Sequence, residues 1–160
     1  MFRIFSAFVL ALVLSGPTLA DEAPAEPSAA SMAFVGQFSD NHLSGMLSRF
    51  GGRAPSLVAY SQLGGEVVAA ILDAHIDAAV DQYGDVWQQN LALSWSGLMN
   101  DAELASLTEK GAESPYAARY GEVAPQAAQA MQEMSGALFQ QILGEVVAAT
   151  ETALSDTATN

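Results

Sequence analysis

Apolar residues recur along most of the chain with the three- and four-residue spacing of an α-helix. No stretch alternates apolar and polar residues for long enough to predict a strand. Alanine, the strongest helix former, is abundant. The pattern therefore predicts an all-α protein, a single-domain helical bundle of four to six helices, two of them short.

The clearest helical pattern runs from Ser56 or Gly65 to Tyr83. One side of this helix is acidic and the opposite side is apolar. The apolar side carries Val68, Leu72, His75, Ile76, Ala79 and Tyr83. We expect a break or a kink at Gly84–Asp85. A further helix then runs from Val86 to Met99, with an apolar side that carries Trp87, Leu91, Trp95 and Leu98.

Capping and turn residues bound the other helices. A weaker helix from Met32 to Phe50 precedes the breakers Gly51, Gly52 and Pro55. Asn100, Asp101 and Glu103 predict the start of a short helix that ends at Lys110, before Gly111.

Two prolines, Pro115 and Pro125, predict where the last two helices begin. Ser114–Pro115 would start another short helix, and Pro125 the last helix, from Gln126 to about Leu154, because proline at the first helical position loses no hydrogen bond. The apolar stripe of the last helix comprises Met131, Met134, Leu138, Ile142, Val146 and Ala149.

Residues 1–20 have the layout of a secretory signal peptide. Arg3 gives a basic start, Ile4 to Ser15 are mostly apolar, and a helix-breaking end leads to the small residue Ala20, after which we expect cleavage. The apolar run is shorter than the roughly 20 residues of a membrane span. The expected location is therefore the periplasm or the medium, with no membrane span after cleavage.

The rest of the chain divides by composition. Residues 21–31 are rich in Pro, Ala, Ser and acid, and predict a disordered leader. Residues 32–154 form the predicted helical domain. Residues 155–160 are small and polar, and predict a disordered tail.

Charge and composition exclude several classes of function. The formal net charge is −13, and it becomes one unit more negative when Arg3 leaves with the signal peptide. Such a surface repels nucleic acid and anionic lipid, and it is compatible with basic proteins, cations or simple solubility. A protein and a small apolar ligand are the candidate partners. The absence of cysteine excludes disulfides and thiol chemistry. We expect a monomer or a weak homodimer, with no cofactor.

Four aspartates spaced four residues apart form an acid ladder on one helix face: Asp73, Asp77, Asp81 and Asp85. Such a row could attract calcium, but side chains aligned on a straight helix do not surround an ion with six to eight oxygens. We interpret the acid ladder as a solvated face opposite the core, and predict no metal site.

The two histidines differ in their surroundings. His75 lies in the middle of an apolar face, which favours a core histidine with one hydrogen bond over a catalytic base. No His-x-x-x-His or Glu-x-x-His pattern predicts a metal site. His42 follows polar residues, and we interpret it as a surface residue.

The two tryptophans, Trp87 and Trp95, are eight residues apart and share a helix face. They would pack in a core, or else line a pocket for an apolar ligand. Both are candidate ligand positions, together with His75.

The segment from Leu98 to Pro125 carries a capped helix start, a Ser114–Pro115 pair and a basic residue, Arg119. It resembles a family of small exported bacterial proteins known as domain of unknown function twenty fifty-nine. The family motif is Ser-Pro-x-Gly-x-Lys, and Ala117 stands at its glycine. The resemblance implies an exported helical protein and assigns no catalytic residue. We interpret Ser114, Pro115 and Arg119 as structural, and retain them as candidate interaction positions.

Together these features predict an exported, soluble, non-catalytic helical protein with a binding or structural role in the bacterial cell envelope. Two alternatives remain open. One is a carrier that holds a small apolar ligand between its helices, and the other is a hydrolase that uses carboxylates and His75.

Overall fold

Two long helices, α4 (Gly65–Ser96) and α6 (Ala117–Thr159), pack against each other and form the frame of the fold. The structure is a computed structural model that describes residues 26–37 and 39–159. The remaining α-helices of this part of the chain are α1 (Ala29–Gly36), α2 (Ser39–Gly51), α3 (Pro55–Val58) and α5 (Asp101–Lys110). Short 3₁₀ turns lie at Ser61–Leu63 and Gly111–Glu113. The described residues contain no strand, which confirms the all-α helical bundle.

The predicted break at Gly84–Asp85 is wrong, because α4 continues through both residues. The buried positions before Gly84 continue after it with the same spacing, on the side that faces the core: Leu72, Ile76, Ala79, Trp87, Leu91 and Trp95. A glycine inside a helix costs about 1 kcal/mol relative to alanine. Burial of the two tryptophans and Leu91 outweighs this cost, since each large apolar side chain gains about 1.5–3 kcal/mol on burial.

The predicted helix start at Pro125 is also wrong. Helix α6 begins at Ala117 and contains Pro125, so the expected separate helix after Ser114–Pro115 does not exist. Proline cannot donate the hydrogen bond that would reach the carbonyl of Gly121. Gly121 is exposed, so water can satisfy that carbonyl. Exposure to water therefore reduces the cost of the missing hydrogen bond.

The buried stripe of α6 differs from the predicted one by a small rotation. It comprises Ala127, Met131, Ser135, Phe139, Ile142, Val146, Thr150 and Leu154. Met134, predicted to be buried, is 42% exposed, and Leu138 is half-buried. The polar Ser135 takes a core position because its hydroxyl accepts a hydrogen bond of 2.9 Å from Asn90 Nδ2 of α4. Sequence patterns count serine as polar and miss such a position.

Helices lie close to both ends of the described chain. Helix α1 begins at Ala29, before the predicted boundary, and Ser28 caps it by accepting a hydrogen bond from the Ser31 amide. Ser28 Oγ also donates to Asp101 Oδ1 over 2.6 Å, which connects α1 to the start of α5. Helix α6 continues past Leu154 to Thr159. The predicted signal peptide, residues 1–20, and the first part of the predicted leader lie outside the described residues.

Helix α5 forms as predicted. Its capping box is complete: the Asn100 side chain accepts from the Glu103 amide over 3.0 Å, and the Glu103 carboxylate accepts from the Asn100 amide over 2.9 Å. Gly111 ends the helix with φ of +54°, a conformation that glycine adopts without strain.

A polar contact links the long helices at the surface. The Tyr83 hydroxyl of α4 donates to Glu145 Oε2 of α6 over 2.7 Å. This hydrogen bond raises the pKa of Tyr83. The pKa of Glu145 is lowered, first by the hydrogen bond from Gln141 and then by that from Tyr83.

Candidate functional site

A cleft of about 680 Å³ lies between α2, α4 and α6, and we call it the aromatic cleft. Helices α2 and α4 each contribute three large side chains spaced four residues apart: His42, Met46 and Phe50, and Trp87, Leu91 and Trp95. Helix α6 forms the third wall with a mixture of large and small residues. The volume falls within the usual range of small-molecule sites, about 300–1,000 Å³.

Small residues on α6 explain why the space between the helices is not filled. Ala124, Ala127, Ala128 and Gly136 line the cleft on the side of α6. Trp87 and Trp95 lie on α4, about 12 Å apart along the helix axis. Because the wall of α6 carries alanine and glycine where Leu or Phe would reach across, an opening remains between the long helices.

Aromatic rings form one end of the aromatic cleft around Trp95. The rings of Trp95 and Tyr120 stack, with centroids 5.0 Å apart and an interplanar angle of 14°. Phe34 of α1 packs edge-on against both, with centroid distances of 5.4 Å to Trp95 and 6.0 Å to Tyr120. Edge-on and stacked pairs are favourable aromatic geometries, so this end is held firmly.

A second aromatic group forms the other end. Trp87 packs on Phe139 with ring centroids 6.0 Å apart, and Phe50 meets Phe139 edge-on at 5.7 Å. Phe50 is 48% exposed and Tyr120 is 37% exposed, whereas Trp87 and Trp95 are almost fully buried. The tryptophans therefore form the floor of the cleft, and the two exposed rings lie at its rim.

His42 and Trp87 are joined by a hydrogen bond in the wall of the cleft. Trp87 Nε1 donates to His42 Nδ1 over 3.1 Å. The rings lie 5.8 Å apart, and His42 is half-buried. Burial lowers the pKa of His42 below its ordinary value of 6.5, so the imidazole is neutral at pH 7. Protonation at Nδ1 would place two donors opposite each other and break this bond.

Sequence reasoning placed Trp87 and Trp95 as candidates for a ligand pocket, and the structure brings both into the aromatic cleft. It missed His42, which does not lie on an exposed surface but lines the cleft. The four-residue spacing of His42, Met46 and Phe50 was an available signal, since it places all three on one face of α2.

His75 lies apart from the aromatic cleft, in α4. Its side chain is half-buried and, within the described part of the chain, makes no hydrogen bond. His75 is therefore partly exposed and not fully enclosed in the core. Among residues 26–37 and 39–159, no carboxylate forms an ion pair with His75.

Ser114, Pro115 and Arg119 lie at the corner between α5 and α6. Ser114 is buried; its hydroxyl pairs with that of Ser106 at 2.9 Å and accepts from the Tyr116 amide at 3.2 Å. Arg119 Nη2 donates to the Leu98 carbonyl at 3.1 Å, and its Nε lies 3.3 Å from Glu103 Oε1. These contacts join the start of α6 to the capping box of α5, which is a structural arrangement.

The acid ladder is exposed along α4 at all four positions: Asp73, Asp77, Asp81 and Asp85. Among residues 26–37 and 39–159, no group of three or more His, Asp or Glu side chains is arranged to hold a metal ion. The carboxylates are thus positioned as a solvated row along one face of α4.

Comparison with known proteins adds no relative. No protein-family model, curated protein or solved structure matches this chain. The resemblance of Leu98–Pro125 to domain of unknown function twenty fifty-nine therefore stays a prediction. Within the described residues, no helix combines the length and the hydrophobicity needed to cross a bilayer.

Proposed function

We propose that the protein is an exported, non-catalytic binding protein that holds a small, uncharged, apolar molecule in the aromatic cleft. One observation carries this proposal. The cleft has a volume of about 680 Å³, and its described lining consists mostly of aromatic, aliphatic and small residues, with His42, Gln132 and Gln140 but no Asp, Glu, Lys or Arg. A mostly apolar concave site with a few polar groups is the usual form of a small-molecule site.

The chemistry of the walls supports an apolar ligand. Phe50 and Tyr120 at the rim are 48% and 37% exposed and provide ring surface for an aromatic molecule, above a floor of Trp87, Trp95 and Phe139. Met46 and Met131 add flexible, polarizable side chains that adapt to the shape of a ligand. Both features favour a ligand that binds through apolar contact area and makes few hydrogen bonds.

The charge of the protein supports an uncharged ligand. An anion would enter a cleft without Lys or Arg among its described lining residues, on a chain whose formal charge is −13. A cation would find no carboxylate in the same lining, and a buried charge without a partner is costly. A neutral molecule avoids both costs.

The predicted signal peptide at residues 1–20 and the resemblance to an exported family support a location in the periplasm or outside the cell. There the protein would act as a carrier or reservoir for its ligand. A structural role, or binding of a protein partner, is the alternative. The arrangement around His75 offers no support for a hydrolase.

Two dyes of nearly equal shape test this proposal. N-phenyl-1-naphthylamine is neutral, and 8-anilinonaphthalene-1-sulfonate adds a sulfonate to the same rings. We expect the purified protein to bind the neutral dye with one-to-one saturation. The anionic dye should bind at least about tenfold more weakly, which corresponds to about 1.4 kcal/mol.

Equal binding of the two dyes would contradict an uncharged site, and no saturable binding of the neutral dye would contradict the proposal as a whole. Repeating both titrations at high salt separates a local effect from long-range repulsion. A preference caused by the net charge alone would largely disappear, because salt screens distant charges.

A further inference from the structure

We propose that His42 is the polar anchor of the aromatic cleft, and that its Nε2–H donates a hydrogen bond to an acceptor atom of the bound molecule. The preferred ligand is then an uncharged aromatic compound that carries an acceptor such as a carbonyl oxygen. This inference rests on the proposed function and specifies the class of ligand.

The hydrogen bond from Trp87 determines which nitrogen of His42 carries the proton. The indole N–H is a donor only, so His42 Nδ1, 3.1 Å away, accepts and is unprotonated. A neutral imidazole carries its single proton on the other nitrogen. His42 therefore presents Nε2–H as a donor and has no free acceptor to offer.

The donor at Nε2 is accessible. It has no hydrogen-bond partner within the described residues. In the same part of the chain, no buried side-chain nitrogen or oxygen is left without a partner. Nε2 is therefore reached by solvent, and the His42 ring itself lines the aromatic cleft. A ligand acceptor would replace the water at this position.

The other polar groups of the lining are less suited to anchor a ligand. Gln132 and Gln140 are exposed, so their amides exchange freely with water, and Tyr120 lies at the rim. The Ser135 hydroxyl is almost fully buried and already accepts from Asn90. His42 is half-buried, and its ring is held by Trp87, so it offers a donor in a fixed direction.

Fluorenone and fluorene form a matched pair of probes, because they differ by the carbonyl oxygen and have nearly the same shape. Equilibrium dialysis measures the affinity of each for the purified protein without a spectroscopic label. We expect the wild type to bind fluorenone roughly threefold to tenfold more tightly than fluorene, the range that one neutral hydrogen bond provides.

Two variants assign this preference to His42. His42→Leu removes the donor, and we expect the preference for fluorenone to disappear while fluorene binding persists. His42→Gln keeps an acceptor for Trp87 and a donor for the ligand, and we expect it to retain a preference. A merely structural role of His42 would change the affinities of both probes together.

Infrared spectroscopy of bound fluorenone tests the hydrogen bond in the wild-type protein, even if His42→Leu does not fold. The carbonyl stretch of bound fluorenone should lie at lower wavenumber in the wild-type complex than in an apolar solvent, as it does when a donor binds the oxygen. An unshifted band overturns the inference.

The outcomes separate this inference from the proposed function. If neither fluorene nor fluorenone binds, both fail. Equal affinity for the two probes in the wild type overturns the role of His42 and leaves an apolar binding site. A preference that persists in His42→Leu also overturns that role. Loss of the preference in His42→Leu, with its retention in His42→Gln, supports the inference.

Discussion

Trp87 of α4 donates its indole N–H to His42 Nδ1 of α2 over 3.1 Å, and this bond joins two helices in the wall of the aromatic cleft. Trp87 is 3% exposed, so its N–H needs a partner within the protein. The bond thus links the stability of the fold to the protonation state of His42.

The first prediction concerns pH. The pKa of His42 is lowered from 6.5 in the folded protein by burial. Between the folded pKa and about 6.5 the unfolded chain binds more protons, so the free energy of unfolding rises with pH in this window. We expect this contribution to be fully present above pH 6.5 and to decrease as the pH falls below it. Urea unfolding measured across this range checks the direction.

His42→Gln is the control for this pH effect, because glutamine does not titrate and still offers an acceptor to Trp87. The pH dependence of the wild type minus that of His42→Gln isolates His42 from the carboxylates. Parallel curves for the two proteins would show that His42 does not carry the effect.

The sequence predicts those features of the fold that depend on residue spacing and local chemistry, and it misses those that depend on packing between helices. The helical class, the capping box at Asn100 and the shared face of Trp87 and Trp95 follow from spacing and short-range chemistry, and all three occur. Pro125 and Gly84 disrupt a helix only locally, and the burial of neighbouring side chains overrides them. Helix-breaking propensities of single residues do not include the free energy gained by burying the neighbouring side chains.

Only some of the residues that line the aromatic cleft could be predicted from the sequence. Its tryptophans were visible as candidates, but His42 was not. The four-residue spacing places His42 on one face of α2 with Met46 and Phe50, but it does not report that this face packs across Trp87 of α4. The alanines and Gly136 of α6 predict an opening only when the packing of α6 against Trp87 and Trp95 is known.

The second prediction concerns the corner between α5 and α6. Asn100→Ala removes the N-cap of α5 and should lower the free energy of unfolding by about 1 kcal/mol. Arg119→Met should cost well under about 1 kcal/mol, since Arg119 is 53% exposed and its ion pair with Glu103 is screened by solvent. Chemical denaturation measures both. Loss of dye binding in Arg119→Met, with stability unchanged, would contradict the structural interpretation of this corner.

The third prediction concerns the end of α6. Leu154 is fully buried, at the boundary where sequence composition predicts the tail to begin. Leu154→Ala should cost about 2–5 kcal/mol, as expected for a large buried side chain. Met134→Ala on the same helix is the control, because Met134 is 42% exposed. Similar unfolding midpoints for the two variants would mean that the end of α6 does not pack.

The fourth prediction concerns the acid ladder. Asp77 has like charges four residues away on both sides, Asp73 and Asp81, and each such pair costs about 0.2–0.5 kcal/mol. Asp77→Asn should therefore raise the thermal midpoint slightly at low salt, and the gain should shrink as salt is added. A stabilisation of the wild type by millimolar calcium that Asp77→Asn abolishes would instead indicate a cation site.

The central claim is that the aromatic cleft binds ligand, and two glycines of α6 provide a matched test. Gly136 lines the cleft, and a Cβ added there meets nothing closer than Gln132 Cγ at 3.9 Å. Gly144 is exposed, and a Cβ there meets nothing within 4 Å. Gly136→Leu and Gly144→Leu therefore gain the same helix propensity, but only the first places a side chain in the cleft.

The decisive measurement is quenching of tryptophan fluorescence by N-phenyl-1-naphthylamine, since both tryptophans of the chain line the cleft. We predict saturable one-to-one quenching in the wild type and in Gly144→Leu, and an affinity at least about tenfold lower in Gly136→Leu, a loss of about 1.4 kcal/mol. Equal quenching of all three proteins, or none in the wild type, would contradict binding in the aromatic cleft.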